Sequence, residues 1–455
     1  MRQVEHIAQN WLPLVHDPLS YGGRDLVVLP LFHYLAAFWS LFLPLEIVAK
    51  ILPNVLFSLL VIIVYLISKK ITDNEDGSLF SAAITGFLPI LFTTNAFTPL
   101  SLSLPLLFTV IYAFLSIDQK KYLYVYIVAF LLAAFASSTI FLLVIGFIIY
   151  VLLSLIEHKK LEIAEVEVIL SSVFFYLWSQ FIFFKEILIS EGPGIIWQNI
   201  PSQIIADYFS SFSFAQALLL ISLVPLITGL YTIYRALFTL RVQRSFMLIS
   251  LAISTLLFSS LKLIRFRLAL IFVGIIMAIL FASFYKDFME YFQKTRITKY
   301  RNIGVILLLA TLLITTVYPA ITTALEQEIP SQEEIEGFRW LQDHTAPGSA
   351  ILGTVQEGHL ITYYGQRQNL MDDQFHLIPD IEQRYSDLNS LFTTSFQTQA
   401  ISLLNKYNIT NLVLTPKAQQ RYGLEKFNYL TKNCFQQVHS NMVKIYEVQC
   451  SLERK

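Results

Sequence analysis

Runs of about 20 apolar residues with few or no charges recur along most of the chain. Each run is long enough to cross the hydrocarbon core of a bilayer as a helix. Charged residues make up only 14% of the 455 residues, whereas a soluble globular protein usually carries about 25%. The sequence therefore predicts a multispan α-helical membrane protein.

About ten of these runs are predicted to span the membrane. A shorter apolar helix, Leu29–Leu45, comes before them and is predicted to lie at the outer interface because it contains Pro30, His33 and Pro44. The predicted spans are Ile47–Leu66, Leu79–Thr94, Leu100–Leu115, Tyr122–Ala136, Ile140–Ile156, Ala164–Phe184, Ala215–Leu237, Phe246–Leu261, Leu268–Tyr285 and Ile303–Ile321.

Basic residues in the loops predict the orientation. Five loops carry clusters of Lys and Arg, and these loops alternate with loops that hold only Lys185, Lys262, Arg265 and Arg267. Because short cytoplasmic loops carry an excess of positive charge, the clustered loops are predicted to be cytoplasmic and both chain ends external. The clusters are Lys69–Lys70, Lys120–Lys121, Lys159–Lys160, Arg235/Arg241/Arg244 and Lys286/Lys294/Arg296/Lys299/Arg301.

Three regions follow from this pattern. Residues 1–46 form a first external loop, polar and loop-like over Met1–Val28, with the interfacial helix at its end. Residues 47–323 form the transmembrane helical domain, and residues 324–455 form an external soluble α/β domain. The expected fold is thus a multispan helical membrane protein with an external C-terminal α/β domain.

The C-terminal region has the mixed periodicity of an α/β domain. A capping box, in which Ser331 and Glu334 satisfy each other's backbone amides, predicts the start of its first helix. Alternating or helical apolar patterns predict the other elements. Strands are predicted at Ala350–Val355, His359–Tyr364 and Thr410–Thr415, and helices at Ile381–Phe392 and Thr398–Lys406.

Both cysteines of the chain flank a predicted hairpin. Phe435–His439 and Val443–Val448 alternate like two strands, with Cys434 before the first and Cys450 after the second. A hairpin brings such positions opposite each other, and an oxidising compartment would allow a disulfide. The alternative is a pair of free thiols in a small sheet.

Two classes of function, nucleic-acid binding and transport, fit the sequence poorly. The net charge is zero and no basic domain is present, so nucleic acid is not an expected partner. Transporters usually place ionisable groups at mid-membrane depth, and the predicted spans have almost none there. Polar residues gather instead near the outer surface, where a lipid-linked substrate and a water-soluble acceptor could meet.

Two segments resemble a known family. His16–Arg24, followed by Leu29–His33, resembles the first external loop of polyprenyl-phosphate-dependent membrane glycosyltransferases of the GT-C type. In the C-terminal region Gly358–Arg367 leads to Asp372-Asp373, also similar to that family. The nearest resemblance is to archaeal proteins akin to the oligosaccharyltransferase catalytic subunit.

This resemblance implies transfer of a sugar from a polyprenyl-phosphate-linked donor to an external protein or glycan acceptor. A loop carboxylate would activate the acceptor or hold a divalent cation such as Mg²⁺ or Mn²⁺. Glu5 and Asp17 are the predicted catalytic acids, with Asp25 as a further candidate. The alternatives are a solvated helix residue for Glu5 and a turn former for Asp17 before Pro18.

The family match also places its first-loop acid a few residues before Met1. The chain is therefore expected to be N-terminally truncated, past a first span and that acid. An alternative to the enzyme is a catalytically inactive relative that binds lipid-linked glycan or assists assembly of surface glycans.

The predicted ligands of the lipid phosphate are Arg24, Lys262, Arg265 and Arg267. Lys262 and Arg265 are three residues apart and are predicted to share a helix face at the outer end of a span. The resemblance implies that Arg265 faces the phosphate, which suits guanidinium geometry. The alternatives are side chains that anchor the span at the lipid interface and, for Arg24, a solvated turn.

His33, His359 and Arg367 are predicted to contact the acceptor or to line a domain interface. The alternative for each histidine is a hydrogen-bonded structural residue. Oligosaccharyltransferases place a Trp-Trp-Asp-Tyr-Gly segment near the position of Gln356-Glu357-Gly358-His359. Because the Trp pair and the Asp are missing here, the resemblance leaves the acceptor open between protein and glycan.

Overall fold

The structure is a computed structural model that describes residues 1–192, 213–239, 243–295, 298–326, 330–375, 377–378, 380–431 and 433–451. Of the loop cations used to predict the orientation, Arg241 and Arg296 lie outside these residues. The described chain divides into a first loop, a helical region and a C-terminal sheet domain.

Every predicted span overlaps one or more helices of the structure. The helices of this region are α3 (Leu45–Thr72), α4 (Glu75–Gly86), α5 (Pro89–Thr94), α6 (Pro99–Phe114), α7 (Lys120–Ala136), α8 (Phe141–Ile156), α9 (Ile163–Glu191), α10 (Phe214–Ile221), α11 (Leu223–Tyr234), α12 (Gln243–Ser260), α13 (Phe266–Lys294), α14 (Arg301–Leu312) and α15 (Tyr318–Leu325).

Among the described residues, five helical segments are long and apolar enough to cross a membrane. A sixth is obtained if α10 and α11, bent by 83° at Ser222, count as one span. The remaining predicted spans are shorter or interrupted, such as α4 and α5, which are separated at Phe87–Leu88. Leu59, Ile62 and other large apolar side chains of these helices face outward, as expected of an integral membrane protein.

Helix α13 is the centre of the helical region. The most apolar 18-residue stretch of this helix is 83% buried, because α3, α4, α11 and α12 pack around it. The contact with α4 is close enough that a Cβ at Gly77 would lie 2.9 Å from the carbonyl oxygen of Ala282. Small residues allow such close approach of helices in membranes, so α13 provides a rigid element whose N-terminus follows the turn that carries Lys262 and Arg265.

The first loop contains more regular structure than its polar sequence predicts. Helix α1 (Arg2–Asn10) buries Val4 and Ile7 against the following helix, and β1 (His16–Asp17) pairs antiparallel with β2 (Arg24–Asp25). The prediction of a loop-like segment was therefore wrong for α1. Its amphipathic pattern, apolar at i and i+3, is the signal that indicates a helix.

The helix that the sequence predicts at the outer interface is shorter than expected. Helix α2 spans Leu31–Ser40 and buries Phe32 and Ala36 on one side. Phe38, Trp39 and Phe42 are exposed around its end. Aromatic residues are enriched where protein meets the membrane interface, and the chain enters α3 only a few residues later.

The C-terminal domain is built on a mixed five-stranded sheet. Strands β3 (Ala350–Leu352), β4 (Gln368–Asn369) and β5 (Ile409–Leu414) are parallel, and β5 also pairs antiparallel with β7 (Lys444–Val448), which pairs antiparallel with β6 (Phe435–Ser440). The order in the sheet is β4-β3-β5-β7-β6. The helices are α16 (Gln332–His344), α17 (Gly358–Tyr363), α18 (Ile381–Thr393), α19 (Gln397–Lys406) and α20 (Pro416–Tyr422).

Helices cover both faces of this sheet. Val413 of β5 packs with Phe338 of α16 and Ile361 of α17 on one face. Leu412 and Leu414 point to the opposite face, in the cluster that contains Leu388 of α18 and Leu404 of α19. This alternation follows from the two-residue period of a strand, and burial on both faces explains the continuous apolar run of β5.

One predicted strand of this domain is a helix. His359–Tyr364, predicted as a strand, lies almost entirely in α17. Ile361 is fully buried against α16, while His359 lies at the start of the helix and faces another direction. In a segment of only six residues, the apolar positions can fit both the two-residue period of a strand and the 3.6-residue period of a helix. The sequence pattern therefore could not distinguish a strand from a helix here.

The hairpin carries a disulfide between Cys434 and Cys450, which are 16 residues apart in sequence. A bridge that closes a loop of this size stabilises a domain by roughly 3 kcal/mol, chiefly by restricting the unfolded chain. We expect the double variant Cys434→Ser/Cys450→Ser to lose roughly 10 °C in apparent melting temperature. Thermal unfolding of the full chain in detergent measures it. Dithiothreitol should lower the melting temperature of the wild type by a similar amount and leave that of the variant unchanged. An equal decrease in both proteins would contradict the disulfide.

Candidate active site

The first loop docks into the C-terminal domain through Tyr21. This side chain is 4% exposed and belongs to the core formed by β3, β5, α18 and α19. Its backbone N–H donates to Asn369 Oδ1 (2.8 Å), and its hydroxyl donates to the carbonyl oxygen of Asp372 (2.6 Å). Tyr21 has φ of 56°, in the left-handed region, and such a conformation persists only where the surroundings enforce it.

Asp372 is the buried acceptor at this junction. Its side chain receives hydrogen bonds from Ser20 Oγ (2.5 Å), Asn369 Nδ2 (3.2 Å) and the backbone N–H of Gln374 (2.9 Å). Nη2 of Arg24 lies 3.4 Å from its Oδ1. A carboxylate offers about four acceptor sites, so the acceptor capacity of Asp372 is filled from both sides of the junction.

Arg24 is buried at the same junction, with its side chain 3% exposed. It donates to the carbonyl oxygen of Gln374 and to Gln374 Oε1 (3.0 Å), and it lies over the ring of Tyr21. Burial of an Arg–Asp pair costs least when the remaining donors are also satisfied, and here Nε of Arg24 is buried without a hydrogen-bond partner among the described residues. These contacts make Arg24 part of the junction between the two regions.

His359 and Asp373 form a second pair of oppositely charged groups beside Arg24 and Asp372, and this pair reaches solvent. His359 Nε2 lies 2.6 Å from Asp373 Oδ1, and the two side chains are 45% and 36% exposed. Because an ionised carboxylate can only accept, Nε2 carries the proton of this bond. Within the described chain His359 Nδ1 has no hydrogen-bond partner.

The electrostatics of this pair favour its charged forms. Burial alone would lower the pKa of His359, but the bond to Asp373 and the charge of Asp372 raise it overall. Burial would raise the pKa of Asp373, but the bond from His359 and the nearby positive charges lower it. One of those charges is Arg265, which lies in a different region of the sequence.

A close backbone contact fixes the position of His359. A Cβ at Gly358 would overlap the carbonyl oxygen of Met371 and would lie 2.9 Å from Cβ of Asp372. Only glycine fits there, so the start of α17 lies directly against the segment that carries Asp372 and Asp373. Asn369 Nδ2 also donates to the carbonyl oxygen of Gly358 (3.0 Å).

The basic turn lies between α12 and α13. Helix α12 ends at Ser260, Lys262 has φ of 58°, and Arg265 is the N-cap residue of α13. The prediction that Lys262 and Arg265 share a helix face is therefore wrong, because the helix ends before both. Instead, Arg265 and Arg267 lie in the first turn of α13, where free backbone N–H groups and the helix dipole favour anions.

The two predicted acids lie in separate environments. Asp17 is 6% exposed, pairs with Arg2 (2.7 Å) and accepts from the backbone amides of Leu19 and Ser20. This is the geometry of a turn former. Burial, with the charge of Glu46 as a lesser cause, raises the pKa of Glu5 on α1. The structure does not bring Glu5 and Asp17 together with His359 and Asp373 as one described cluster.

Two further predicted residues have structural partners. Burial lowers the pKa of His33 to about 4, and one ring nitrogen lies 3.3 Å from the carbonyl oxygen of Leu29. Arg367 is 5% exposed and donates to Thr345 Oγ1 (2.7 Å) and to the carbonyl oxygen of Gln342 (2.7 Å). Arg367 thus satisfies carbonyl groups at the end of α16.

The geometry also identifies residues that the sequence prediction did not assign to the site. They are Ser20, Tyr21, Asn369, Asp372 and Asp373. The two adjacent acids after Gly358–Arg367 were the available signal. Ser20, the first-loop partner of Asp372, lies 352 positions away in sequence, and no local pattern relates such distant positions.

His359, Asp372 and Asp373 offer ligand atoms that all lie within 4.8 Å of one another, which is close enough to share a cation. The acceptor capacity of Asp372 is already filled, however, and His359 is hydrogen-bonded to Asp373. Mg²⁺ and Mn²⁺ prefer an octahedron of oxygen ligands. One available carboxylate beside a bonded imidazole does not fit such an ion.

No protein-family model matches the chain, and a search of curated proteins gives no match. Solved structures of the oligosaccharyltransferase from Archaeoglobus fulgidus match its fold. The apo form has a TM-score of 0.69 at 13% identity, covering 91% of this chain and 65% of that chain. The form with an inhibitory peptide and a dolichol-phosphate has a TM-score of 0.70 at 13% identity, covering 90% and 64%.

A third form of that archaeal enzyme, in complex with Zn and sulfate, has a TM-score of 0.62 at 14% identity, covering 90% of this chain and 62% of that chain. The chain thus spans less than two thirds of the length of these structures. The resemblance to the GT-C type seen in the sequence is confirmed at the level of the fold.

Proposed function

We propose that this protein is a membrane glycosyltransferase, which transfers a sugar from a polyprenyl-phosphate-linked donor to an acceptor at the outer face of the membrane. The observation that carries the proposal is the electrostatic coupling between a basic turn and an acidic residue of the C-terminal domain. A basic turn caps α13, and the charge of its Arg265 acts on Asp373, which lies beside His359 in the C-terminal domain. A lipid-borne anion and a water-soluble acceptor can both reach that place.

The basic turn would bind the phosphate of the donor and stabilise it as the leaving group. Arg265 and Arg267 lie at the N-terminus of α13, where helix N–H groups add to their charge. Guanidinium groups bind phosphate through two parallel hydrogen bonds. Lys262 is exposed in the same turn and adds a further positive charge. The archaeal enzyme of similar fold was solved with a dolichol-phosphate, which supports this class of donor.

The acceptor is a protein or a glycan outside the membrane. Gln356-Glu357-Gly358-His359 stands where the resemblance implies an acceptor-binding segment, and it has neither a Trp pair nor an Asp. The archaeal enzyme was solved with an inhibitory peptide. The different residues here support an acceptor that is recognised in another way.

The external position of the C-terminal domain has two supports. Clustered Lys and Arg alternate between loops, which puts both chain ends outside by the positive-inside rule. The Cys434–Cys450 disulfide is typical of an oxidising compartment. Mg²⁺ or Mn²⁺, which the resemblance implies, has no fitting set of ligands at His359, Asp372 and Asp373, and no step of the proposal depends on a metal ion.

The proposal is tested with the full chain in lipid nanodiscs. Three donors carrying a labelled sugar are supplied: dolichyl-phosphate-mannose, dolichyl-phosphate-glucose and dolichyl-diphosphate-N-acetylglucosamine. Water and a peptide with an Asn-Val-Thr sequon are the acceptor probes. We expect label to leave the lipid phase with at least one donor, and we expect unlabelled dolichyl phosphate to compete.

Two results would contradict the enzyme. Binding of dolichyl phosphate without turnover of any donor would favour the catalytically inactive relative. Absence of binding would overturn the use of a polyprenyl-linked donor altogether. The negative control is an Arg265→Ala/Arg267→Ala double variant, which should not bind dolichyl phosphate because both guanidinium groups at the start of α13 are removed.

A further inference from the structure

We propose that His359 is the general base of the transfer and that Asp373 is its positioning residue. This inference rests on the proposed function and adds the group that removes the proton from the acceptor. The resemblance implies a first-loop carboxylate for this role, with Glu5 and Asp17 as candidates. The geometry points instead to an imidazole of the C-terminal domain.

The two side chains have the arrangement of a base held by a carboxylate. Nε2–H of His359 donates to Asp373 Oδ1 at 2.6 Å, so the unprotonated Nδ1 remains to accept a proton. A carboxylate that holds one ring nitrogen fixes the tautomer and the orientation of the other, and it stabilises the imidazolium that forms. Gly358 adds rigidity, because the backbone before His359 lies directly against Met371 and Asp372.

A purely structural ion pair is a poor explanation for this contact. The side chains are 45% and 36% exposed, and ion pairs with such access to water contribute little to stability. The adjacent Asp372, by contrast, is 1% exposed and makes the contacts that join the first loop to the C-terminal domain. Two neighbouring acids thus have different environments, and the exposed pair is not needed for docking.

The pair is also coupled electrostatically to the basic turn that is proposed to bind the donor phosphate. Arg265, at the start of α13, and Arg24, from the first loop, both act electrostatically on Asp373. The proposal places the sugar of a donor whose phosphate is held by the basic turn beside His359. The first-loop candidate Asp17 is already occupied by Arg2 and two backbone amides.

The step conserves atoms and electrons. The acceptor O–H or N–H loses its proton to His359 Nδ1 as the acceptor atom forms a bond to C1 of the sugar. The bond between C1 and the phosphate oxygen breaks, and its electron pair stays on the phosphate beside Arg265. His359 leaves the step as an imidazolium paired with Asp373 and passes the proton to water.

This mechanism predicts the dependence of the rate on pH. His359 must be unprotonated, so the rate should rise with pH through the pKa of His359. The charged groups that face it are Asp372 and Asp373 from its own domain and Arg24 from the first loop, with Arg265 acting on Asp373. Since Asp373 helps to hold that pKa above its usual value, Asp373→Asn should move the rising limb to lower pH.

The experiment compares four proteins in nanodiscs: wild type, His359→Gln, Asp373→Asn and His16→Gln. The control is well matched, because His16 forms the same kind of pair with Asp25 (2.8 Å, 65% and 64% exposed) on the first loop. Each protein is assayed for binding of dolichyl phosphate and for release of sugar from whichever of the three donors the wild type turns over.

We expect His359→Gln to bind dolichyl phosphate within about twofold of wild type while its turnover falls at least about 100-fold, the usual contribution of a general base. Asp373→Asn should retain binding and shift the pH profile, and His16→Gln should match the wild type in both assays.

Wild-type turnover by His359→Gln would overturn the base and leave the proposed function intact. Loss of both binding and turnover in His359→Gln, or an unshifted pH profile in Asp373→Asn, would give the pair a structural role and overturn the inference. Failure of the wild type to turn over any donor would overturn the proposed function, and the inference with it.

Discussion

Replacing Arg265 by Ala is expected to lower the affinity for dolichyl phosphate by about 10- to 100-fold, the value of a hydrogen bond between charged groups. Arg265 lies at the N-cap of α13, the most buried of the five candidate spans, so the guanidinium is held by a rigid element. A phosphate there would meet the positive helix end and two arginines together. Equilibrium binding of labelled dolichyl phosphate in nanodiscs measures the loss.

Two further variants separate phosphate binding from simple charge. Arg265→Lys keeps the charge but loses the paired donors of the guanidinium, so its affinity should lie between those of wild type and Arg265→Ala. Lys185→Ala removes an exposed cation on α9, which the sequence also predicts near the outer surface, and it should bind as the wild type does. Equal binding by Arg265→Ala and wild type would return Arg265 to the role of an interface anchor.

The helical region was predictable because membrane spans carry a strong local signal. A run such as Leu268–Tyr285 needs only length and apolarity to be identified, and it lies within α13. The interruptions were not predictable in the same way. Helices α10 and α11 are bent by 83° at Ser222, which has φ of 70°. The hydroxyl groups of Ser222 and Thr316, 94 residues apart, form a hydrogen bond, and Thr316 lies in a π-helical turn. Packing between distant segments decides such breaks.

The candidate site was predictable only in part, for a related reason. His359, Arg24 and Arg265 were identified because charged or ionisable residues in an apolar chain are conspicuous. Their grouping depends on docking of the first loop across about 350 residues. Asp17 was an ambiguous signal, because Asp before Pro fits both an acid and a turn, and its contacts with Leu19 and Ser20 are those of a turn.

Replacing Asp372 by Ala is expected to detach the first loop from the C-terminal domain. The substitution leaves the guanidinium of Arg24 buried without its carboxylate and removes the acceptor for Ser20 and Asn369. Breaking a buried pair by removing one partner costs about 3–5 kcal/mol. A loss of this size should strongly raise the fraction of molecules with the loop undocked. We therefore expect faster amide hydrogen exchange over residues 16–25 and a lower apparent melting temperature.

Asp25→Ala is the matched control for Asp372→Ala. Asp25 lies on the same loop and pairs with His16, but its side chain is 64% exposed, so water replaces the lost contact. Its hydrogen exchange over residues 16–25 should stay near that of the wild type. Ser20→Ala removes one of the donors to Asp372 and should give an intermediate effect, about 1 kcal/mol. If Asp372→Ala exchanges no faster than Asp25→Ala, the other contacts of Tyr21 and Arg24 hold the loop, and the buried Arg24–Asp372 pair contributes nothing to docking.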